Sequence, residues 1–284
     1  MSLATTFGVL GGDRRQLYLA QSLAGDGYPV YTSCLGEGSP PGCLGSLPPV
    51  ELAARCGILL LPLPASRNGV LNAPLAPAPI PLDEDFVRLL LGKRVYGGML
   101  SPLRAASPLW EQVTAWDYYT REELLLGNAF LTAEGAVGLA IHEYEGSLGG
   151  SRCLVTGFGR IGKALCAALK GLGAQVDCCA RKPRDFTVLR ALGCQPLAYG
   201  RLEQPYDVIF NTVPAPVLTA QALSRQRWGT LLLELASPPG GIDREAARRF
   251  GLRVIDAPGL PGRLAPKSAG ELIKEAVYAM MEEA

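Results

Sequence analysis

Apolar positions along this chain fall in short runs that alternate with amphipathic stretches. Residues 6–10 form a strand-length run that stops at Gly11-Gly12, and Asp13 stands where it can cap a helix over 14–24. Further strand-length runs cover 28–32, 58–61, 95–99 and 113–116, with helical patterns near 50–55 and over 83–91, the latter opened by Asp83. Strands separated by helices at this spacing predict a parallel sheet covered on both faces, and the first half reads as flavodoxin-like. Residues 120–145 carry the longest helical pattern. Thr120 and Glu123 are placed as a capping box, and Gly127 and Gly135 mark a break or a close approach.

A second alternation starts at residue 152, with strands expected at 152–157, 175–180, 207–211, 231–235 and 253–256. The predicted class is α/β: two doubly wound parallel-sheet domains, the second a Rossmann NAD(P)-binding domain. The expected boundaries are 1–128 for a substrate domain and 129–265 for a connecting helix plus the Rossmann domain. An amphipathic helix over 266–284 is expected to pack back on the first domain or the hinge, and domains joined by so few segments should close about a mobile cleft.

The length of 284 residues suits two domains. Lys and Arg number 27 against 26 Asp and Glu, so no broad field favours nucleic acid or an anionic membrane. The apolar run near 58–63 is broken by Pro62 and Pro64, and the N-terminus lacks a basic segment before a long apolar core. Neither a membrane span nor a signal peptide is expected. Eight cysteines form no C-x-x-C pair and His142 is the single histidine, which disfavours a zinc site and a disulfide framework and suggests a reduced, cytoplasmic protein. The sequence sets no oligomeric state and leaves a homo-oligomer open.

The most informative chemistry lies in RCLVTGFGRIG, residues 152–162. Gly157, Gly159 and Gly162 satisfy G-x-G-x-x-G between an apolar strand and a helical pattern, so Gly157, Phe158, Gly159, Arg160, Ile161 and Gly162 are predicted to cradle a dinucleotide pyrophosphate at a helix N-terminus. At the end of the next strand, where an NAD enzyme places an acid for the ribose 2′-hydroxyl, Ala180 is followed by Arg181 and Lys182. A cationic pair there suits a 2′-phosphate, hence NADP, although a solvated pair on a loop would read the same way. Asp177 falls too early, inside the strand. Strand-end placement puts Thr212, Val213, Pro214, Ala236 and Ser237 beside the nicotinamide half.

Several runs together resemble the dipicolinate synthase A-subunit family: GGDRRQ (11–16), DYYTREELLLGNAFLTAEGAV (117–137), VTGFGRIGKAL (155–165), NTVPAPVL (211–218), ELASPPGGID (234–243) and PGLPGRLAPKSAG (258–270). The resemblance implies a fold like that of 2-hydroxyacid and alanine dehydrogenases. It further implies an NADP-linked oxidation of a dihydrodipicolinate-type compound to the pyridine dicarboxylate, beside a flavoprotein-like B subunit, in the mother-cell cytoplasm of a spore former.

A small dicarboxylate substrate requires cationic donors in place of water. The predicted substrate residues are Arg14, Arg67, Asn68, Ser101, Arg121, Lys267 and Ser268, with Arg14, Arg67, Arg121 and Lys267 foremost; Arg15, Arg104 and Tyr118 lie in the same segments. For the acid or base, Asp117, Tyr118, Tyr119, Glu122, Glu134 and Lys267 stay open. Three rival readings stand beside this one. A 2-hydroxyacid or alanine dehydrogenase is disfavoured because His142 precedes the glycine loop. A dihydrodipicolinate reductase is disfavoured because its paired-histidine segment is absent. An NADP-binding subunit that is regulatory, or active only with its partner, stays open.

Overall fold

The computed structural model describes residues 5–200, 202 and 204–283; residues 1–4 and Ala284, included in the expected domain and terminal helix, lie outside the described residues. The chain divides into two compact units, one taking residues up to Gly127 and again from Ala265, the other Asn128–Leu264.

The first unit is built on β1 (Phe7–Leu10), α1 (Arg14–Gly25), β2 (Val30–Ser33), β3 (Gly45–Ser46), α2 (Pro49–Arg55), β4 (Ile58–Leu60), β5 (Ser66–Arg67), β6 (Val70–Leu71), α3 (Glu84–Leu90), β7 (Arg94–Gly97), α4 (Ser101–Ala106) and β8 (Thr114–Asp117). Its six-stranded sheet has the order β3-β2-β1-β4-β7-β8, and every pair is parallel. Without the two-residue β3, the order in sequence terms is 2-1-3-4-5, the flavodoxin-like winding. The strands are buried on both sides. Phe7, Val9, Ile58 and Leu60 enter one core with Leu19, Leu23, Ile273 and Val277, while Leu10, Leu59 and Leu61 enter another with Leu52, Phe86 and Trp110. This explains why these strands read as continuous apolar runs rather than alternating ones.

Helix α5 (Glu122–Glu143) carries the chain from the first unit into the second. By length and composition it is apolar enough to cross a membrane. Its Ala133, Ala136 and Ala140 instead join the core of the second unit. The two glycines are close approaches: a Cβ on Gly127 would meet Leu272 Cδ2 at 2.6 Å, and one on Gly135 would meet Leu260 Cβ at 3.1 Å. The expected capping box does not form. Asp117 caps a short 3-10 turn, Tyr118–Thr120, through the Tyr119 N–H, and Thr120 Oγ1 donates to the Asp117 carbonyl at 2.7 Å.

The second unit contains β9 (Arg152–Thr156), α6 (Arg160–Gly171), β10 (Gln175–Cys179), α7 (Pro183–Ala191), β11 (Gln195–Leu197), β12 (Val208–Asn211), α8 (Ala220–Leu223), β13 (Leu231–Glu234), α9 (Arg244–Arg249), β14 (Arg253–Asp256) and α10 (Leu260–Leu264). The parallel order β11-β10-β9-β12-β13-β14 is the Rossmann order 3-2-1-4-5-6, which reverses between β9 and β12. Asp177 sits inside β10, where it accepts from the Tyr206 hydroxyl at 2.9 Å and pairs with Arg152 at 3.2 Å.

The last helix, α11 (Pro266–Glu282), returns to the first unit and lies along α1 in the same sense. A Cβ on Gly270 would meet the Arg15 carbonyl at 2.6 Å, and eight residues on Tyr278 donates to Asp26 at 2.8 Å beside Lys274 at 2.9 Å. These two partners hold the Asp26 carboxyl below the usual carboxylate range.

Candidate functional site: a dinucleotide crevice

The crevice lies beyond the C-terminal ends of the second unit's strands, at the point where the strand order reverses. Gly157 ends β9 at φ +94°, a left-handed conformation natural to glycine, and a Cβ there would meet Thr212 Oγ1 at 2.7 Å. Gly159 is the N-cap of α6, has no side-chain cap, and has nothing within 4 Å of where its Cβ would be. The N-terminal N–H groups of α6 are therefore open to an anion. Gly162 packs against the loop so tightly that a Cβ would meet the Gly157 carbonyl oxygen at 2.0 Å. The three glycines thus perform a turn, an open approach and a close packing, as a pyrophosphate site requires.

A cavity of about 710 Å³ adjoins this loop, within the range of cofactor sites. It is lined by Gly157, Phe158 and Gly159, by Arg181 and Lys182, and by Thr212, Val213 and Pro214. Arg181 and Lys182 are exposed and hold no ion-pair partner among the described residues. These features fit a dinucleotide with a cationic end at the ribose phosphate. Arg160 and Ile161 form the first turn of α6 but do not line the cavity, and neither do Ala236 and Ser237.

Two polar side chains that sequence reasoning missed line the same cavity. Tyr199 follows β11, and burial pushes its phenol up to about 12. Asp185 lies in the first turn of α7. Tyr199 was accessible to the same strand-end reasoning that selected Thr212; Asp185 carried no comparable signal.

A hydrogen-bond hub, also unforeseen, holds the loops after β12 and β13. Asn211 is fully buried at the end of β12 and Glu234 is 4% exposed at the end of β13. Asn211 Nδ2 donates to Glu234 Oε1 at 2.6 Å and to the Val213 carbonyl at 3.0 Å, while its Oδ1 accepts from Val213 N–H and from the Thr156 hydroxyl. Glu234 also accepts from the N–H groups of Ala236 (3.1 Å), Gly241 (2.9 Å) and Ile242 (3.3 Å). Every donor and acceptor site of the Asn211 amide is thereby used.

In the first unit the predicted substrate and acid/base residues separate into two groups. Arg14, Arg67, Asn68, Ser101, Lys267 and Ser268 are exposed, on segments following β1, β4 and β7 and in the first turn of α11. Asn68, at φ +49°, also forms the turn of the β5–β6 hairpin with Gly69 at +79°, a pair typical of tight hairpins. The others have structural work. Asp117 accepts from the N–H groups of Met99 (3.0 Å), Leu100 (2.8 Å) and Tyr119 (2.9 Å), holding Met99 at φ +60°. Tyr118 is fully buried and donates to the Leu61 carbonyl at 2.8 Å, and burial raises its phenol far above the ordinary range. Arg121 is clamped on Glu283 by two bonds and on Glu123 by a third. Arg15 is drawn onto Asp13 and the Leu63 carbonyl. Asp117, Tyr118 and Arg121 are thus each engaged by partners within the first unit. In the second unit, Glu134 is exposed on α5 beside an apolar groove with Phe130, Val137 and Leu172, and does not line the dinucleotide cavity.

Comparison with known proteins finds similarity along nearly the whole chain. Residues 6–106 match the N-terminal domain of the dipicolinate synthase A-subunit. The chain is 27% identical over 282 residues to the dipicolinate synthase A-subunit of Bacillus subtilis (strain 168), covering 97% of this chain and 95% of that one. It superposes on the crystal structure of the dipicolinate synthase A-subunit from Bacillus halodurans with a TM-score of 0.86, at 25% identity and 99% coverage of both chains. The fold is also that of the transhydrogenase from Sinorhizobium meliloti, with a TM-score of 0.71 at 17% identity over 97% of this chain and 93% of that one. Over nearly its whole length the chain is similar to dipicolinate synthase A-subunits, and it shares their fold.

Proposed function

We propose that this chain is an oxidoreductase subunit that binds NADP(H) in its second unit and oxidises a dihydrodipicolinate-type cyclic dicarboxylate to dipicolinate. The observation that carries this reading is the dinucleotide crevice, with Arg181 and Lys182 in place of an acid, in a chain similar over nearly its whole length to dipicolinate synthase A-subunits. A nicotinamide held there would supply the hydride acceptor. The protein's part is to hold the pyrophosphate on the N-terminus of α6, to place cations at the 2′-phosphate, and to present a fixed loop after β12. Loss of a hydride and a proton leaves an aromatic ring, so positioning can supply much of the rate and a weak base suffices. A histidine-dependent hydroxyacid mechanism is disfavoured: His142 is 82% exposed near the C-terminal end of α5, away from the cavity lining.

The lettered designation of its relatives suggests a partner B subunit. The test is to mix the purified chain with NADP⁺ and freshly prepared precursor, with and without a B subunit, and to follow the near-UV absorbance of NADPH and product. Reduction by the chain alone is expected. Reduction only when B is added would favour the partner-dependent reading, and no reduction in either mixture would contradict both.

For the substrate carboxylates we propose the exposed cations Arg14, Arg67 and Lys267, with the uncapped N-terminus of α11 beside Lys267. Single alanine substitutions are expected to raise KM about tenfold or more, the scale of one charge-assisted hydrogen bond, while NADP(H) affinity is unchanged. Steady-state kinetics paired with cofactor titration separates the two effects, and wild-type KM in all three variants would contradict the assignment.

A further inference from the structure

Glu234 is a buried carboxylate whose hydrogen-bond partners are all neutral. Its two oxygens accept from one amide side chain and three backbone N–H groups, and no cation forms an ion pair with it among the described residues. Arg244 feels its charge, but both terminal nitrogens of that guanidinium are engaged by Asp256. A glycine is required on either side of the carboxylate: Gly240, at φ +79°, would bring a Cβ to 2.8 Å from Glu234 Oε2, and Gly241 would bring one to 2.7 Å from Asn211 Nδ2. Burying an ion without a counter-ion is costly, and the four donors offset that cost.

The acceptor-only carboxylate receives all four N–H donors, which a single amide oxygen could not do. The carboxylate also places a negative charge in a low-dielectric setting at the C-terminal end of β13. One hydrogen bond beyond it, through Asn211, stands Val213, which lines the dinucleotide cavity. The oxidised nicotinamide ring carries a positive charge and the reduced ring none.

Resting on the dinucleotide reading above, we propose that Glu234 is a specificity-determining residue for the redox state of the cofactor: its uncompensated charge favours the oxidised over the reduced dinucleotide. Such a bias suits a protein that must bind the oxidised form to act on a reduced substrate. The Asn211 amide relays the carboxylate's position to the Val213 backbone and so fixes the loop that borders the ring.

The experiment is an equilibrium titration of the full-length chain with NADP⁺ and with NADPH, read by fluorescence or calorimetry, for the wild type, Glu234→Gln and Glu234→Asp. The wild type should bind NADP⁺ at least as tightly as NADPH. Glu234→Gln should weaken NADP⁺ about tenfold more than NADPH, the effect of one partly screened charge. Glu234→Asp keeps the charge while displacing the loops, so it should weaken both forms together and preserve their ratio. Equal losses of both forms in Glu234→Gln would overturn the proposal and leave a purely structural role. So would a wild type that binds NADPH more tightly than NADP⁺, a result that needs no variant to fold. A wild type that binds neither form would instead overturn the dinucleotide reading itself.

Discussion

Gly162→Ala is expected to abolish dinucleotide binding and to destabilise the second unit. The added methyl would stand 2.0 Å from the Gly157 carbonyl oxygen, a backbone atom that cannot rotate aside. Either α6 must retreat from β9 or the Gly157–Gly159 loop must move, and both displace the N–H groups that receive the pyrophosphate. Overpacking of this kind costs about 3 kcal/mol, roughly 10 °C in Tm for a unit of this size. A displacement of about 1 Å at the phosphate-binding turn is expected to lower affinity about 100-fold or more. Gly159→Ala is the contrasting control: nothing lies within 4 Å of its Cβ position, and its φ of −81° is open to alanine. It should therefore fold normally, yet bind the cofactor less well, because the methyl enters the space the pyrophosphate needs. Thermal melts and cofactor titrations of the two variants separate packing from approach.

Replacing Arg181 and Lys182 together by alanine is expected to weaken NADP(H) by about 1–3 kcal/mol, or roughly 10- to 100-fold, and to leave NAD(H) nearly unchanged. Both side chains are exposed at the cavity and hold no ion-pair partner among the described residues, so removing them breaks no internal ion pair. Lys182 is the N-cap of α7 through its backbone alone, and the helix keeps Pro183 at its first position, so the fold should survive. Asp185 lines the same cavity from the first turn of α7. With both cations gone its carboxylate, paired only with Arg184 at 3.7 Å among the described residues, would face a 2′-phosphate, which adds to the expected loss.

The α/β architecture and the glycine loop could be read from the sequence because they rest on local rules. Strands buried on both faces show as apolar runs, and a strand–glycine–helix sequence admits few conformations. The β5–β6 hairpin was missed because its strands have two residues each, too few for any periodicity, and its Asn68-Gly69 turn read as a ligand group. What the sequence hides most is the partners of polar groups that lie far apart along the chain. Asp117 meets Met99 and Leu100, Tyr118 meets Leu61, and Arg121 meets Glu283. Each looks from the sequence like a free functional group at a helix start, and each is engaged by a contact that only the fold creates. The Asn211–Glu234 hub escaped for the same reason: the two residues lie 23 positions apart and become neighbours only because β12 pairs with β13.

The most direct test of an NADP-type site in the second unit is equilibrium titration of the purified wild-type chain with NADPH and, separately, with NADH, cofactors of one redox state that differ only in the 2′-phosphate. The expected result is tighter binding of NADPH by about tenfold or more, from the exposed Arg181 and Lys182 side chains at the cavity. Equal affinities for the two, or tighter binding of NADH, would contradict it.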